Sequence, residues 1–231
     1  MGIDAVRAPL GIGALKAPFG IIVGLQAEAR LLRSWGLPVG IGGGTAEGAG
    51  QAADRLAPHV EALLSFGLAG GLDPALRPGD VLVPALVVDA GDRWPTDPGL
   101  NQRLGGSTGQ TLLGGGALLA TAAEKQAARA GTGAAAVDLE SAAVARAAAR
   151  HGRPFAVLRA VCDDAARTLP RAAVVALDSA GGIGLLRVLG AVLARPGEIP
   201  ALLALARDAA RARRALQARV AKLSRPGGPW C

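Results

Sequence analysis

Apolar and polar residues form two alternating patterns along the chain, which predict strands and helices. Short, continuous apolar runs are typical of buried strands, and they occur at residues 20–24, 59–66, 81–88 and 155–161. Helical patterns follow several of these runs, and helices are expected through residues 31–32, from residue 121, and between residues 140 and 151. Strands that alternate with helices favour an α/β fold, and 231 residues suit one such domain.

The segments outside these runs are polar or weakly patterned. Residues 1–18 are expected to form a loose lead-in. Residues 91–109, which contain Trp94, are expected to form a polar loop or lid. Residues 183–224 predict two helices that are interrupted at residues 195–197, where the sequence Arg-Pro-Gly breaks the pattern.

The two C-terminal helices differ in character. The first carries apolar residues at helical spacing: Leu185, Val188, Leu189, Val192 and Leu193. The second places Leu202, Leu203 and Leu205 ahead of a run of arginines, which predicts a basic amphipathic helix. Such a helix more commonly packs on a core and leaves its basic face in solvent. The alternative is a surface that meets a lipid or an anionic membrane.

Two acidic residues lie at the ends of predicted elements. Glu140 stands at the start of a helix, and Asp163 follows the strand at residues 155–161. Ligands of open α/β sheets bind beyond the carboxyl ends of strands. Two carboxylates that enter one crevice from separate elements indicate a site that handles a polyol and a proton. Taken singly, Glu140 is better explained by the helix dipole and Asp163 by a cap or turn, but the two together with the surrounding pattern favour a site.

A third carboxylate and two glycine-rich stretches follow other strands. Glu28 lies at a helix start after the strand at residues 20–24, where a dipole role is the alternative. The glycines at residues 40–44 lead into a helix, so their N–H groups are candidates for binding an anion or a hydroxyl. Turn and cap chemistry explains them equally well. The glycines at residues 67–71 would let the backbone approach a ligand closely.

Composition narrows the classes of function. The net charge of +7 comes largely from arginines, which is compatible with nucleic acid, an anionic membrane or an anionic substrate. The sequence has no nucleic-acid-binding module and no basic stretch interleaved with aromatic residues, so nucleic acid is not an expected partner. The two cysteines, Cys162 and Cys231, lack metal-ligand spacing. Neither a disulfide framework nor a metal site is predicted.

Targeting signals are also not evident. Asp4, Arg7 and Lys16 interrupt the N-terminal apolar residues, so no signal peptide is predicted. The uncharged run at residues 104–123 is rich in Gly, Ser, Thr and Gln, which is wrong for a membrane span. The protein is expected to be cytoplasmic.

Four motifs resemble the purine nucleoside phosphorylase and nucleosidase superfamily. The central pair is VDLESAAVA at residues 137–145 and PFAVLRAVCD at residues 154–163. GIIVGLQAEARLL at residues 20–32 and SFGLAGGLDPALRPGDVLVP at residues 65–84 extend the similarity over most of the chain. The resemblance implies one three-layer α/β/α sandwich with a mixed central sheet over residues 1–231, without a metal or an organic cofactor.

The resemblance also implies roles for individual residues. Glu140 would bind the ribose hydroxyls while Leu139 packs on the sugar. Asp163 would be the general acid that protonates the departing base. Glu28 would activate the attacking water, and Leu118 would pack against the purine, although a core leucine is the alternative. The candidate anion or nucleophile loops contain Gly43, Gly44, Gly67, Leu68, Ala69 and Gly70.

Three residues depart from the superfamily pattern. Cys162 stands where nucleosidases often have Ser, which bears on the group that orients the acid. Leu68 replaces a Ser or Thr that contacts the nucleophile, and Ser65 stands where bacterial phosphorylases tend to have a phosphate-binding Arg. The last two changes, with the Glu28 carboxylate, favour water over phosphate. Phosphorolysis remains the alternative, because Arg30 and the glycine loop at residues 42–44 could receive an anion.

The C-terminal motif sharpens the resemblance. RPGEIPALLALARDA at residues 195–209 is similar to the hopanoid-associated phosphorylase family, which implies adenine release from adenosylhopane. The implied partners are an adenine nucleoside that is lipid-linked, phosphate as an alternative acceptor, the inner membrane face and further copies of the chain. Two alternatives stay open: a soluble methylthioadenosine or adenosylhomocysteine nucleosidase, and a non-catalytic nucleoside-binding or membrane-associated protein.

Overall fold

The computed structural model of the protein describes residues 17–171, 173 and 196–224. Within these residues the strands are β1 Ala17–Val23, β2 Val39–Ile41, β3 Val60–Gly71, β4 Val81–Leu82, β5 Leu86–Asp89, β6 Asp92–Pro95, β7 Thr111–Leu113, β8 Ala136–Val137 and β9 Phe155–Asp163. The α-helices are α1 Gln26–Ala29, α2 Ala46–Leu56, α3 Pro98–Arg103, α4 Ala122–Thr132, α5 Ser141–Arg150 and α6 Ile199–Leu223. Short 3₁₀ helices span Arg30–Trp35, Ala57–His59 and Pro196–Glu198.

The strands form one mixed sheet around the long strand β3. The sheet runs in the order β2, β1, β3, β8, β7, β5 and β6, while β9 pairs with β3 and β4. Strand β3 is parallel to β1 and β9 but antiparallel to β8. The expected mixed central sheet is confirmed.

Side chains that alternate along the strands form two separate apolar cores. On one face of the sheet, residues of β9 pack with alanines of α2 and α5: Phe155, Val157, Val161, Ala49, Ala52, Ala142 and Ala145. On the other face, the alternate residues of β9 pack with α6: Ala156, Leu158, Ala160, Ala212, Leu216 and Val220. Helices on both faces of the sheet confirm the three-layer α/β/α architecture.

Helix α5 starts at the position that the sequence predicted. The Asp138 carboxylate, not Glu140, caps it: Oδ1 accepts the N–H groups of Glu140 at 3.0 Å and Ser141 at 2.8 Å. A cap of this kind stabilises a helix by about 1 kcal/mol. The cap leaves the Glu140 carboxylate available for the site. The helix ends before Gly152, whose φ of 59° suits glycine.

The single strand predicted at residues 81–88 is wrong. The structure has two short strands here, β4 and β5, which pair with different partners. Pro84 lies between them, and proline has no N–H to donate to a sheet ladder. The chain therefore changes partners at this residue.

The polar loop predicted at residues 91–109 is also wrong, because this segment contains β6 and α3. Ala90 and Gly91 have φ of 49° and 90° and form a tight turn that pairs β5 with β6. Trp94 on β6 packs against the core, and the guanidinium of Arg146 lies 5.4 Å from its ring centroid. The apolar contact of Trp94 holds a strand whose own sequence shows no apolar run.

Glycine-rich stretches are more regular than the sequence predicted. Residues 67–71 continue strand β3 and do not form a turn. Of the loop predicted at residues 40–44, Gly40 belongs to β2, and only residues 42–44 form the turn before α2. Gly43 and Gly44 have φ of 73° and 76°, which explains glycine at both positions.

The remaining boundaries differ in detail. Strand β1 begins at Ala17, within the predicted lead-in, and residues 1–16 lie outside the described residues. Strand β3 begins at Val60, because His59 ends a 3₁₀ turn, and β9 extends two residues beyond its predicted end. The helix predicted through residues 31–32 is a 3₁₀ helix that follows α1.

Helix α6 is amphipathic, as its sequence predicted. Its buried residues face the second core: Ala212, Leu216, Val220 and Leu223. Near its start, Ile199 and Leu203 are exposed by 40% and 53%. The first of the two predicted C-terminal helices, with Leu185 and its apolar neighbours, lies outside the described residues, as does Cys231. In the part of the chain that is described, no helix is long and apolar enough to cross a membrane.

Candidate active site

The Glu28 carboxylate is fixed by the backbone at the end of β1. Oε2 accepts the N–H groups of Gly24 and Leu25, both at 3.0 Å, and Oε1 accepts the N–H of Leu68 at 3.1 Å. The side chain is buried. Two N–H donors from the turn after β1 and one from β3 satisfy a buried carboxylate and hold it in one orientation. Glu28 therefore lies at the predicted position, and Leu68 contributes its backbone and not its side chain.

A buried arginine on β9 connects the acidic residues of the site. The Arg159 side chain is 2% exposed, and its Nε lies 2.7 Å from Asp138 Oδ2. Its Nη2 lies 3.4 Å from Glu140 Oε2 and donates to Ser65 Oγ at 2.7 Å. Burial alone would lower the pKa of Arg159, but the neighbouring carboxylates outweigh it and raise the pKa above its usual value. Arg159 stays charged and organises the cluster.

Glu140 is less well satisfied than the other carboxylates. Its Oε1 is buried without a hydrogen-bond partner among the described residues. Desolvation raises the pKa of Glu140 from 4.5 to about 7; Arg159 opposes this shift, while Asp138 and Glu28 add to it. A buried carboxylate oxygen without a partner is costly. An oxygen in this condition is ready to accept a hydrogen bond from a ligand hydroxyl.

Two glycines let Glu28 and Glu140 come together. A Cβ atom on Gly24 would lie 2.7 Å from Glu140 Oε1, and one on Gly67 would lie 2.6 Å from Glu28 Oε1. A Cβ on Gly67 would also collide with the guanidinium of Arg159. No other residue type fits at either position, so the carboxylates and the guanidinium share a small space around the ends of β1 and β3.

Asp163 lies further along β9 and contacts a different cation. The buried ammonium of Lys125, on α4, forms an ion pair with Asp163 Oδ2. Asp163 Oδ1 accepts the Cys162 thiol at 3.3 Å. Burial, followed by the charge of Asp163, raises the pKa of the Cys162 thiol well above its usual value, so the thiol remains a hydrogen-bond donor.

The Arg159 cluster and the Asp163 ion pair are both built on strand β9, at opposite ends of the site. Arg159 and Asp163 are four residues apart on β9, about 13 Å in an extended strand. The strand pairing places Arg159 opposite Gly67 and Asp163 opposite Gly70. A Cβ on Gly70 would lie 3.3 Å from Asp163 Oδ1. One end of the site thus carries Glu28 and Glu140, and the other end carries Asp163, with glycines beneath both.

The other predicted residues lie around the edge of these clusters or in the core. Leu139 and Leu118 are half-buried, and Ala69 belongs to the core. The glycine loop adjoins the site, since Gly42 donates its N–H to Val23 O at the end of β1. Arg30 is exposed. In residues 17–171 and 196–224, no group of three or more His, Cys, Asp and Glu side chains could hold a metal ion.

Sequence reasoning missed the two cations of the site. Arg159 interrupts the apolar run at residues 155–161, and a charged residue inside a buried strand signals a paired, functional group. Lys125 gives no comparable signal, because a lysine in a helix is ordinarily exposed. Asp138 and Ser141, which bind Arg159, were part of the recognised motif but had no assigned role.

Comparisons with known proteins agree with this fold. The family model of the phosphorylase superfamily matches residues 40–192, and the chain therefore belongs to this superfamily. No curated protein matches the chain significantly.

Solved structures of low sequence identity share the fold. The 5′-methylthioadenosine/S-adenosylhomocysteine nucleosidase of Helicobacter pylori is 17% identical with a TM-score of 0.63, over 91% of this chain and 100% of that one. The S-adenosylhomocysteine nucleosidase of Streptococcus pyogenes is 20% identical with a TM-score of 0.62, over 91% and 99%. The futalosine hydrolase of Helicobacter pylori is 17% identical with a TM-score of 0.62, over 90% and 99%.

Proposed function

We propose that this protein cleaves the N-glycosidic bond of an adenine nucleoside and uses water as the acceptor. One observation carries the proposal: Glu28 and Glu140 converge beside Arg159 in a space that glycines keep open. Asp163 stands at the other end of the site on the same strand. A pair of carboxylates at the sugar and an acid at the base are the groups that such a cleavage needs.

Glu140 is the ribose ligand in this proposal. Its unpartnered Oε1 can accept a sugar hydroxyl, and hydrogen bonds to a carboxylate favour its charged form. Cleavage passes through a sugar with oxocarbenium-like positive charge. The ionised carboxylate of Glu140 stabilises that charge most strongly when it develops, which is the condition for catalysis.

Glu28 is the base that activates water. Its three backbone donors hold the carboxylate in place, so that one orientation is presented to a nucleophile. Phosphate is disfavoured by charge, because three carboxylates, Glu28, Asp138 and Glu140, surround Arg159, which forms ion pairs with the last two. A dianion would be repelled by this cluster. Ser65 stands in the place of a phosphate-binding arginine, and its hydroxyl already accepts hydrogen bonds from Arg159 Nη2 and Ser141 Oγ.

Two substrate classes fit this chemistry. The sequence resemblance to hopanoid-associated phosphorylases supports adenosylhopane, and the exposed Ile199 and Leu203 on the basic helix α6 offer apolar surface to a lipid or its membrane. The fold shared with methylthioadenosine and adenosylhomocysteine nucleosidases supports a small nucleoside instead. We favour the adenosyl lipid, because the sequence resemblance and the exposed apolar residues at the start of α6 both support a lipid.

The test is adenine release from adenosine, methylthioadenosine, adenosylhomocysteine and adenosylhopane by the purified protein. Glu28→Gln is the test variant, and Glu61→Gln, which changes an exposed residue of β3, is the matched control. We expect release by the wild type and the control and a loss of about a hundredfold or more in Glu28→Gln. Release from small nucleosides alone would favour the soluble nucleosidase. Normal binding of adenosine without any release would mean a non-catalytic protein.

A further inference from the structure

Lys125 is the residue through which helix α4 reaches the interior. It is 1% exposed, and it is the one buried residue of this helix. Its Nζ contacts Asp163 Oδ2 and donates to the backbone carbonyl of Asp164 at 2.8 Å. A helix of this size ordinarily docks through apolar side chains. Here Ala128 adds a partly buried apolar contact, and the one fully buried side chain is charged and pairs with Asp163, the proposed acid.

Stability does not explain a buried ion pair of this kind. Removing two charges from water costs several kcal/mol for each ion, and apolar side chains of similar volume often stabilise a fold as well or better. A buried pair at the reacting end of a site is a candidate for a role in the chemistry. Because Lys125 contacts Asp163, the proposed general acid, that role concerns the proton which Asp163 gives to the base.

We propose that Lys125 is the positioning residue that supplies the proton which Asp163 delivers to the departing base. This inference rests on the proposed function. The ion pair places the Lys125 ammonium against Asp163 Oδ2, so that a proton of the ammonium can be passed to that carboxylate. As the C1′–N9 bond breaks and its electron pair moves into the purine, Asp163 protonates a ring nitrogen. The Lys125 proton passes to Asp163, which leaves a neutral amine beside a carboxylate.

The other groups at Asp163 do not replace Lys125 as the proton source. Cys162 donates a hydrogen bond to Oδ1, but burial raises the pKa of its thiol well above the usual value. The thiol therefore orients the carboxyl and keeps its proton. From β3, the residue beside the carboxylate is Gly70, which has no titratable group. Among the described contacts of Asp163, the Lys125 ammonium is the remaining donor.

The test compares two leaving groups. Lys125→Gln keeps a hydrogen-bond donor near Asp163, and Lys125→Met keeps only the length of the side chain. Lys222→Met, on the exposed side of α6, is the matched control. Each variant is assayed with the best adenine nucleoside and with p-nitrophenyl riboside, whose nitrophenolate leaves without a proton. Thermal unfolding is recorded for each variant.

We expect both Lys125 variants to lose about a hundredfold in kcat on the adenine nucleoside and to keep p-nitrophenyl riboside cleavage within about threefold. Lys222→Met should match the wild type on both substrates. Equal losses on the two substrates, or loss of the folding transition, would show a structural role and overturn the inference. Unchanged adenine release would overturn it as well. A wild-type protein that cleaves neither substrate would instead refute the proposed function itself.

Discussion

Replacing Glu140 with Gln should make the protein more stable while it makes the site less effective. The carboxyl is buried, its Oε1 lacks a partner among the described residues, and desolvation raises its pKa to about 7. A neutral amide of the same shape removes the cost of ionisation. It also removes the charge that binds the ribose hydroxyls and stabilises the sugar cation.

The size of the effect follows from the shift in pKa. The pKa moves from 4.5 to about 7, and at about 1.4 kcal/mol per unit this amounts to about 3.5 kcal/mol. Below pH 4.5 the carboxyl is protonated in the folded and the unfolded chain, and no cost arises. As pH rises from 4.5 to about 7, the unfolded chain loses the proton first, so the free energy of unfolding falls. Above that range the cost is complete.

The assay is urea denaturation of the wild type, Glu140→Gln and the control Glu61→Gln at pH 5 and pH 8. We expect Glu140→Gln to gain up to about 3.5 kcal/mol over the wild type at pH 8 and much less at pH 5. The gain is an upper limit, because the amide loses the attraction of Arg159. Glu61 is exposed, so its variant should stay within about 0.5 kcal/mol at both values. A gain that is the same at both pH values, or a destabilisation at pH 8, would refute the reasoning.

Three further predictions concern activity. In the wild type, kcat/KM should rise as pH increases through about 7, because Glu140 binds ribose when ionised; a profile that is flat, or a limb that persists in Glu140→Gln, would contradict this. Asp163→Asn should fold and bind adenine nucleoside but lose about a hundredfold or more in turnover; near-normal turnover would exclude Asp163 as the acid and direct attention to Asp164. Gly67→Ala should lower turnover more than tenfold, since its Cβ would lie 2.6 Å from Glu28 Oε1. Gly50→Ala, whose Cβ would make only an ordinary contact with Ala143 at 3.8 Å, should be active; equal activity in the two would show that the space beside Glu28 is not used.

The acidic residues could be predicted from the sequence because they follow buried strands. Glu28 comes after β1 and Asp163 ends β9, so both lie near the carboxyl ends of parallel strands. Glu140 is equally recognisable at the start of α5. Local patterns mark the ends of strands and helices, and the sheet then brings these ends together. The alternation of strands and helices predicted the α/β class, whereas the mixed sheet between two helical layers was predicted from the resemblance to the superfamily.

The cations and their pairing could not be predicted in this way. Arg159 pairs with Asp138 and Glu140, and Lys125 with Asp163, across contacts that depend on tertiary packing. Strand β6 and helix α3 were missed because neither shows a clear apolar period. Trp94 holds β6 through contacts with residues distant in sequence. Patterns along the chain do not contain this information.

The central claim is that this site transfers the ribosyl group of an adenine nucleoside to water. The most direct measurement is the mass of the sugar product formed in isotopically labelled water that also contains phosphate. The arrangement of Glu28, Glu140 and Arg159 predicts a free sugar that carries the oxygen label, formed at the same rate when phosphate is left out. A sugar 1-phosphate without the label, formed only when phosphate is present, would contradict the account.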